Sequence, residues 1–208
     1  MWYKYHVTLQ LTGRFAAGLP KTPKEIEGMV MHRAPTTPPV DAIPLETLIE
    51  NIEEAVEAAE DNETGWATFP HDDKGLYYEG RGVRGHIKDC VAQLQWMFPS
   101  LKNIKSKLVN RVYVEDERIY VGKVEPDGNE TRFIQVITRQ GPRSAIKHID
   151  YVNSPVLRFT LLVMQDNVIT EELLRAVFEY GAVHGIGQER SQGWGRYELT
   201  ELKLLEGE

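Results

Sequence analysis

Cysteine is nearly absent from this chain, which has Cys90 as its only thiol among 208 residues. One cysteine can form neither an internal disulfide framework nor a zinc site with two thiolates, and we expect a reducing, cytoplasmic compartment. Long apolar runs are missing too, since none approaches the roughly 20 residues that a helix needs to cross a bilayer. We therefore expect no membrane contact. The alternating residues at the amino terminus are not typical of a signal peptide.

A surplus of positive charge is also missing, because 24 Lys and Arg stand against 31 Asp and Glu, for a net charge of -7. An acidic total argues against indiscriminate binding to nucleic acid. The charges are uneven, since residues 46–63 hold eight acids and no base, while residues 101–147 hold ten basic and six acidic side chains. The sequence is therefore compatible with one basic face and one strongly acidic face. The acidic stretch would be a solvated helix face or a docking surface for a basic partner.

Hydrophobic periodicity predicts an α+β fold. Apolar and polar side chains alternate from Tyr3 to Leu11, which predicts a strand. Similar patterns predict helices at Leu45–Glu60, at His86–Phe98 and after the capping residue Thr170, a strand-turn-strand unit at Arg111–Lys123, a hairpin-like pair at Arg132–Thr138 and Ser144–Asp150, a central strand at Val156–Met164, and a last strand from Tyr197 to Leu204. This order suits a ferredoxin-like β-α-β-β-α-β core with insertions.

A proline-rich stretch interrupts this pattern after the first strand. Between Lys21 and Pro44 the chain has Pro23, Pro35, Pro38, Pro39 and Pro44. Proline fixes φ and removes a backbone donor, so the stretch can form neither a long helix nor a central strand. We interpret it as an excursion at about residues 19–44. Because no repeat and no second compositional block occurs, the sequence predicts a single domain over residues 1–208.

The first of two glycine-rich segments is Gly80-Arg-Gly-Val-Arg-Gly85, which satisfies G-x-G-x-x-G between a short strand and a helix. The pattern is typical of dinucleotide-binding loops, but no βαβ unit surrounds it and the acid expected about 20 residues later is missing. Its amides, with Arg81, Arg84 and Lys88, would hold phosphates at a helix start. The alternative is a tight turn that carries surface arginines.

The second segment is Gly185-Ile-Gly-Gln-Glu-Arg-Ser-Gln-Gly-Trp-Gly195, between the last helix and the last strand. Glycines at both ends would let the loop lie flat and bring its amides close to a ligand. Polar side chains within and after the loop add hydrogen-bond donors, while Trp194 would stack on a ligand or pack inside the protein. A purely structural loop is the alternative.

Together the two segments resemble the RAMP superfamily of CRISPR proteins. Gly75-Leu-Tyr-Tyr-Glu-Gly-Arg-Gly-Val-Arg-Gly-His-Ile-Lys is similar to that family's turn and helix, and Gly185–Gly195 looks like its carboxy-terminal glycine-rich loop. The opening strand followed by Gly13-Arg-Phe-Ala-Ala-Gly18 is similar to its first strand and turn. The resemblance is nearest to the backbone subunits of type III effector complexes, which polymerise along guide RNA.

The resemblance implies a ferredoxin-like (RRM-like) core that grips the RNA backbone, with the excursion and the Gln140–Pro142 pair as thumb-like insertions. It places RNA-binding residues at the first turn (Gly80, Arg81, Gly82, Arg84, Gly85, His86 and Lys88) and at the second (Gly185, Gly187, Gln188, Arg190, Ser191, Gly193, Trp194, Gly195 and Arg196). Local charge alone adds Arg139, Arg143 and Lys147 as candidates.

Catalysis is not expected from the family pattern. Target-cleaving backbone subunits carry an aspartate just after the first glycine turn, whereas this chain has no acid between Gly18 and Glu25. The six histidines show no ligand spacing, so we expect no metal and no cofactor. A metal-independent cleavage would need a histidine at the 2′-hydroxyl or leaving oxygen, and His32 is the best candidate.

Three functions stay open at this point. The first is a non-catalytic RNA-binding subunit of a CRISPR-like ribonucleoprotein in antiviral defence, with single-stranded guide-type RNA, other subunits or copies of itself as partners. The second is a metal-independent endoribonuclease that processes guide RNA. The third is a RAMP-fold interaction protein that mimics or contacts a CRISPR subunit. No aromatic-rich RNP signature occurs, so base-specific recognition is not expected.

Overall fold

The computed structural model describes residues 2–20, 64–95, 103–138, 141–164 and 168–205. Within these residues the helices are α1 (Gly80–Leu94), α2 (Ile104–Val109) and α3 (Glu171–His184). The strands are β1 (Trp2–Leu11), β2 (Arg14–Phe15), β3 (Leu19–Pro20), β4 (Thr64–Thr68), β5 (His71–Asp72), β6 (Gly75–Glu79), β7 (Val112–Val114), β8 (Arg118–Tyr120), β9 (Gly128–Thr138), β10 (Gly141–Asn153), β11 (Val156–Met164) and β12 (Tyr197–Leu205).

The chain divides into two compact units. The first comprises Met1–Gly18, Phe69–Gly128 and Asp150–Glu208, and the second comprises Leu19–Thr68 and Asn129–Ile149. The mixed α+β fold is confirmed, whereas the single domain over the whole chain stays a prediction.

The main sheet of the first unit has the strand order β12-β1-β11-β7. Every neighbouring pair in it is antiparallel, and β1 and β11 are its two inner strands. Alternate residues of β1 are buried on one face, which follows from the period-two pattern of the sequence. Strand β11 alternates in the same way, so it is central in the sheet but buried on one face only.

Helices α1 and α3 pack against each other and share one hydrophobic core with the buried face of the sheet. The apolar stripe of α1 includes Val83, Ile87 and Leu94, and that of α3 includes Leu173 and Phe178. Burial of each such large side chain contributes roughly 1.5 to 3 kcal/mol. The N-cap prediction for α3 is confirmed, since the Thr170 hydroxyl accepts a hydrogen bond of 3.2 Å from the Leu173 amide.

Shorter strands complete the two units. In the first unit, β6 lies between β5 and β8, and Val152 and Asn153 of β10 pair with β2. In the second, β4 pairs with β3 and runs parallel to residues 146–149 of β10, and β9 pairs with β10. The hairpin-like pair that the sequence predicts is therefore present as two longer strands.

Three predicted elements differ from the structure. Helix α1 begins at Gly80 rather than at His86 and is described to Leu94, while the predicted end at Phe98 lies outside the described residues. Strands β7 and β8 form as predicted but not as a hairpin, because β7 pairs with β11 and β8 with β6. Of the proline-rich excursion, only Leu19–Pro20 is described, as strand β3, and the predicted acidic helix Leu45–Glu60 lies outside the described residues.

Candidate functional site

The first glycine segment is the beginning of α1 rather than a turn before it. Strand β6 runs directly into the helix, with Glu79 as an N-cap that makes no side-chain capping bond. Gly80 is buried, and a Cβ there would collide with the carbonyl oxygen of Asp116. Its amide donates a hydrogen bond of 3.0 Å to the backbone carbonyl oxygen of Glu117. Gly82 is similarly pressed against the ring of Tyr78. The segment is therefore not a separate turn, and close packing accounts for these two glycines.

Gly85 differs from the two glycines before it. A Cβ at Gly85 would meet no atom within 4 Å, and the residue is exposed in the interior of α1. Glycine there costs roughly 0.5–1 kcal/mol relative to alanine. Packing inside the protein gives no reason for that cost.

The basic side chains of α1 lie on its exposed side. Arg81 forms an ion pair of 2.6 Å with Glu79, and Lys88 is exposed. Arg84 donates a hydrogen bond of 2.9 Å to the carbonyl oxygen of Val109 and lies 4.5 Å from the centroid of the Tyr113 ring. All three line a cavity of about 320 Å³ beside α2 and β7.

His86 is not available to RNA, which corrects its predicted role. The side chain is buried, with 4% of its surface exposed, and Nε2 lies 2.9 Å from the Tyr197 hydroxyl. Burial lowers the pKa of His86 to about 3, and the neighbouring His184 and Arg190 act in the same direction. A neutral imidazole held inside the core contributes packing and contacts to Tyr197 and Cys90, not a contact to phosphate.

The second glycine segment is a loop of unusual backbone geometry. Four of its glycines have positive φ angles between 70° and 84°, namely Gly185, Gly187, Gly193 and Gly195. Residues other than glycine rarely adopt positive φ angles. A Cβ at Gly195 would also collide with the carbonyl of Ile186. The sequence therefore identified correctly a loop that needs glycine.

Most amides of this loop are used inside the protein. Backbone oxygens of the chain accept hydrogen bonds from the amides of Gly185, Ile186, Gln188, Gln192, Gly193, Trp194 and Gly195. The amides of Gln188 and Gly195, for example, donate to Ala16 and Arg14 at 2.9 and 2.8 Å. These bonds fix the loop against the segment after β1. The same bonds leave few of its amides available to a phosphate, whereas the sequence predicts amides that approach a ligand.

Trp194 packs inside the protein. It is 7% exposed, its ring centroid lies 5.7 Å from that of Tyr151, and the Arg14 guanidinium lies 5.4 Å from it. Of the two alternatives for this residue, packing is therefore the one observed. Gly185 and Gly195 are buried as well. None of these three residues presents a surface to RNA.

Arg190 joins the two glycine segments. Its guanidinium donates a hydrogen bond of 2.8 Å to Nε2 of His184, and it lies 3.4 Å from the Asp89 carboxylate of α1. The rings of His86 and His184 are also stacked, with centroids 6.3 Å apart. A second cavity of about 470 Å³ is lined by His184, Arg190 and two further loop residues. The 185–196 loop therefore lies against α1, the helix that begins with the first glycine segment.

Other candidates divide into exposed, half-buried and undescribed residues. Ser191 and Arg196 are exposed, and Gly187, Gln188 and Gly193 are half-buried. His32, Arg139 and the side chain of Arg143 lie outside the described residues, while Lys147 belongs to the second unit.

Within the described ranges, no three His, Cys, Asp or Glu side chains are grouped so that they could hold a metal ion. No helix of the described chain has the length and apolarity to cross a membrane.

Sequence analysis missed the partners that shape the site. Asp89 bonds Arg190, and Tyr113 and Val109 hold Arg84. The helical pattern indicates that Asp89 faces outward, as it does in the structure, but it does not indicate the pairing with Arg190. The contact between Arg84 and Tyr113 joins residues far apart in sequence, and no local pattern indicates it.

Comparisons with known proteins place the fold but not a family. No protein-family model and no curated protein sequence matches this chain. Among solved structures, it is similar to a chain of the "Cryo-EM structure of the Type III-B Cmr-beta bound to cognate target RNA", with a TM-score of 0.53 and 12% sequence identity. The match covers 99% of this chain and 61% of that one, so this chain spans less than two thirds of its neighbour. At this identity the likeness shows a shared fold alone.

Proposed function

We propose that the chain is a non-catalytic RNA-binding subunit of a CRISPR-like ribonucleoprotein. The observation that carries the proposal is the contact between α1 and the 185–196 loop, which Arg190 makes through Asp89, while its hydrogen bond to His184 joins the loop to the end of α3. We infer that the two segments that resemble RAMP motifs, about a hundred residues apart in sequence, contribute to one surface of the first unit. The structural neighbour supports the same assignment, because it comes from a Type III-B Cmr-beta structure bound to cognate target RNA.

The fold assignment is part of this proposal. The strand order β12-β1-β11-β7, with α1 between the first two strands in sequence order and α3 between the last two, supports our proposal of a ferredoxin-like β-α-β-β-α-β core. We propose that this core and its insertions form one RAMP-like domain, and that β9 and β10 lead into a thumb-like hairpin. We also propose a cytoplasmic location, which the same assignment and the single cysteine support.

Side chains, rather than backbone amides, make the contacts to RNA in this proposal. The loop amides are largely bonded to the protein, so the glycines set the shape of the surface and the cations bind phosphate. The phosphate contacts are made by Arg81, Arg84 and Lys88 of α1 and by Arg190 and Arg196 of the loop. Contacts to phosphate carry no sequence information, so this surface binds single-stranded RNA of any sequence.

Fluorescence anisotropy with a labelled single-stranded RNA tests the proposal. We expect binding that weakens steeply as salt rises, and Lys88→Ala should reduce affinity roughly threefold to tenfold and lower the salt dependence by about one phosphate contact. The matched control is Lys203→Ala on β12, which removes the same charge from the sheet and should leave binding unchanged. Equal losses in both variants, or no binding at low salt, would refute the proposal.

One observation favours a different class of function. The internal bonding of the loop amides fits a RAMP-fold protein that no longer grips RNA and instead contacts another subunit. Trp2 and Met164, opposite each other in β1 and β11, are large apolar side chains that are 49% and 40% exposed. If RNA is not retained, co-purification with a second protein that is lost in Trp2→Ser would support this alternative. The endoribonuclease alternative depends on His32, which lies outside the described residues.

A further inference from the structure

A cavity of about 320 Å³ in the first unit lies between α1, α2 and β7. One side carries Arg81, Arg84 and Lys88, whose spacing of three and seven residues places them on one face of the helix. Arg81 keeps Glu79 as an ion-pair partner there, so Lys88 is the cation at this rim whose charge is best placed for a new anion.

The opposite side of the cavity is aliphatic. It is formed by Leu108 and Val109 of α2 and by Val112 and Val114 of β7, and no acidic side chain is among the described residues that line it. Its volume is near the lower end of the range for small-molecule sites. An inorganic anion would use only the cations, and a lipid chain only the aliphatic wall. A nucleotide carries both an apolar planar base and an anionic phosphate.

Arg84 provides a prepared surface for the base. Its guanidinium is fixed by the hydrogen bond to the Val109 carbonyl at 2.9 Å and lies 4.5 Å from the Tyr113 ring centroid. Guanidinium planes stack on nucleobases in single-stranded RNA recognition. Because the group is already held in place, little side-chain freedom is lost when a base binds.

Gly85 leaves room at the edge of the cavity. It lines the cavity between Arg81 and Lys88, and a Cβ there would meet no atom within 4 Å. Packing inside the protein does not require a glycine at this position. An RNA strand that approaches the helix backbone closely would require one. Close approach of a ligand would therefore explain why a glycine, which destabilises a helix, stands at this position.

We propose that this cavity receives one nucleotide of the bound RNA strand, an inference that rests on the proposed function and adds α2 and β7 to the site. The base lies between the aliphatic wall and the plane of Arg84, and its phosphate contacts Lys88 and Arg81. The wall offers no hydrogen-bonding side chain to a base edge, so any of the four bases is accepted. One inserted nucleotide therefore fixes the register of the RNA on the protein without recognition of its base sequence.

Photo-crosslinking tests this inference. A uridine decamer with a single 5-iodouridine is bound to the full chain and irradiated, and the crosslinked peptide is identified by mass spectrometry. We expect the crosslink within residues 104–114, the segment that carries the aliphatic wall of the cavity. Gly85→Leu, which fills the mouth of the cavity with a good helix former, should reduce the crosslink roughly tenfold, as expected when one stacked base is lost. Gln93→Leu, at an exposed position of α1 outside the cavity, is the matched control and should leave it intact.

The outcomes separate this inference from the proposed function. Circular dichroism of both variants first establishes that they are folded. RNA that is retained but crosslinks elsewhere, or crosslinks equally well in Gly85→Leu, overturns the inserted nucleotide and leaves the RNA-binding proposal standing. Failure to retain the decamer at low salt overturns both. A parallel sample with 5-iodouridine monophosphate identifies the source of the ligand, because a crosslink from the free nucleotide without retention of the decamer would make this a mononucleotide site.

Discussion

Gly85 is the residue at which helix stability and RNA binding are expected to oppose each other. Its position in the helix interior is open, so Gly85→Ala should raise the free energy of unfolding by about 0.5–1 kcal/mol through the better helix propensity of alanine. The same methyl group should weaken RNA binding, because it lies where the strand approaches the helix backbone. Urea denaturation and RNA titration of one variant measure both effects.

Gly82→Ala provides the comparison for this prediction. A Cβ at Gly82 would collide with the hydroxyl and ring of Tyr78, which itself packs against Phe15 at a centroid distance of 5.2 Å. This variant should therefore be less stable than the wild type. If Gly85→Ala is destabilising as well, the position is constrained by packing, and its proposed role towards RNA is contradicted.

His86 makes stability depend on pH in a defined window. Burial lowers the pKa of His86 to about 3, whereas an unfolded histidine has a pKa near 6.5, so the unfolded state takes up the proton first. This stability is complete above pH 6.5 and is lost as the pH falls towards 3. We expect the free energy of unfolding to fall by about 2 kcal/mol between pH 7.5 and pH 5.

Urea titrations of His86→Gln measure this contribution, because glutamine keeps a polar group near Tyr197 but does not titrate. The fall in stability between pH 7.5 and pH 5 should be much smaller in this variant, while exposed His71→Gln should behave like the wild type. An unchanged pH dependence in His86→Gln would show that His86 is not the group responsible.

At the scale of elements, Asp89 of α1 forms an ion pair with Arg190 of the 185–196 loop. Asp89→Asn removes a negative charge 3.4 Å from the Arg190 guanidinium and leaves that cation free for phosphate. RNA affinity should rise roughly threefold, with a larger effect at low salt because the pair is partly exposed. Anisotropy titrations at two salt concentrations measure this.

Glu198→Gln on β12 removes the same charge away from α1 and is the control for this prediction. It should change affinity less than Asp89→Asn does. Weaker binding by Asp89→Asn would indicate that the carboxylate is needed to orient Arg190, and that the loop binds RNA only in the ion-paired arrangement.

The start of α1 shows what sequence patterns can and cannot predict about an element. Three glycines in six residues favour a turn, because glycine is a poor helix former. The helix nevertheless begins at Gly80, since only glycine fits beneath the Asp116 carbonyl and beside Tyr78. These contacts come from β6 and from the turn after β7, and a local reading has no access to them. Tertiary packing has overridden propensity here.

The 185–196 loop shows the reverse relation. Its four glycines with positive φ angles were recognisable from spacing alone, because each occupies a conformation that other residues avoid. What the spacing could not show is the destination of the amides. Those of Gln188 and Gly195 donate to residues 16 and 14, which follow β1 and lie far away in sequence. The predicted loop is therefore present, but the ligand contacts predicted for its amides are mostly taken.

For the whole molecule, the elements were more predictable than their pairing. Periodicity predicted β1, β11, β12 and α3, because each has a buried face that repeats at the spacing of its element. Pairing is non-local, so β7 and β8 were interpreted as a hairpin although each pairs with a different strand. The division into two compact units had no signal in the composition.

The position of RNA on the molecule is the central claim, and lysine-specific acetylation of the protein with and without bound single-stranded RNA tests it most directly. Lys88 lies on the exposed side of α1, whereas Lys74 and Lys203 are exposed elsewhere on the first unit. The account predicts that RNA slows the acetylation of Lys88 severalfold and leaves that of Lys74 and Lys203 unchanged. Protection of Lys203 with Lys88 still fully reactive would place the RNA on the sheet and contradict the account.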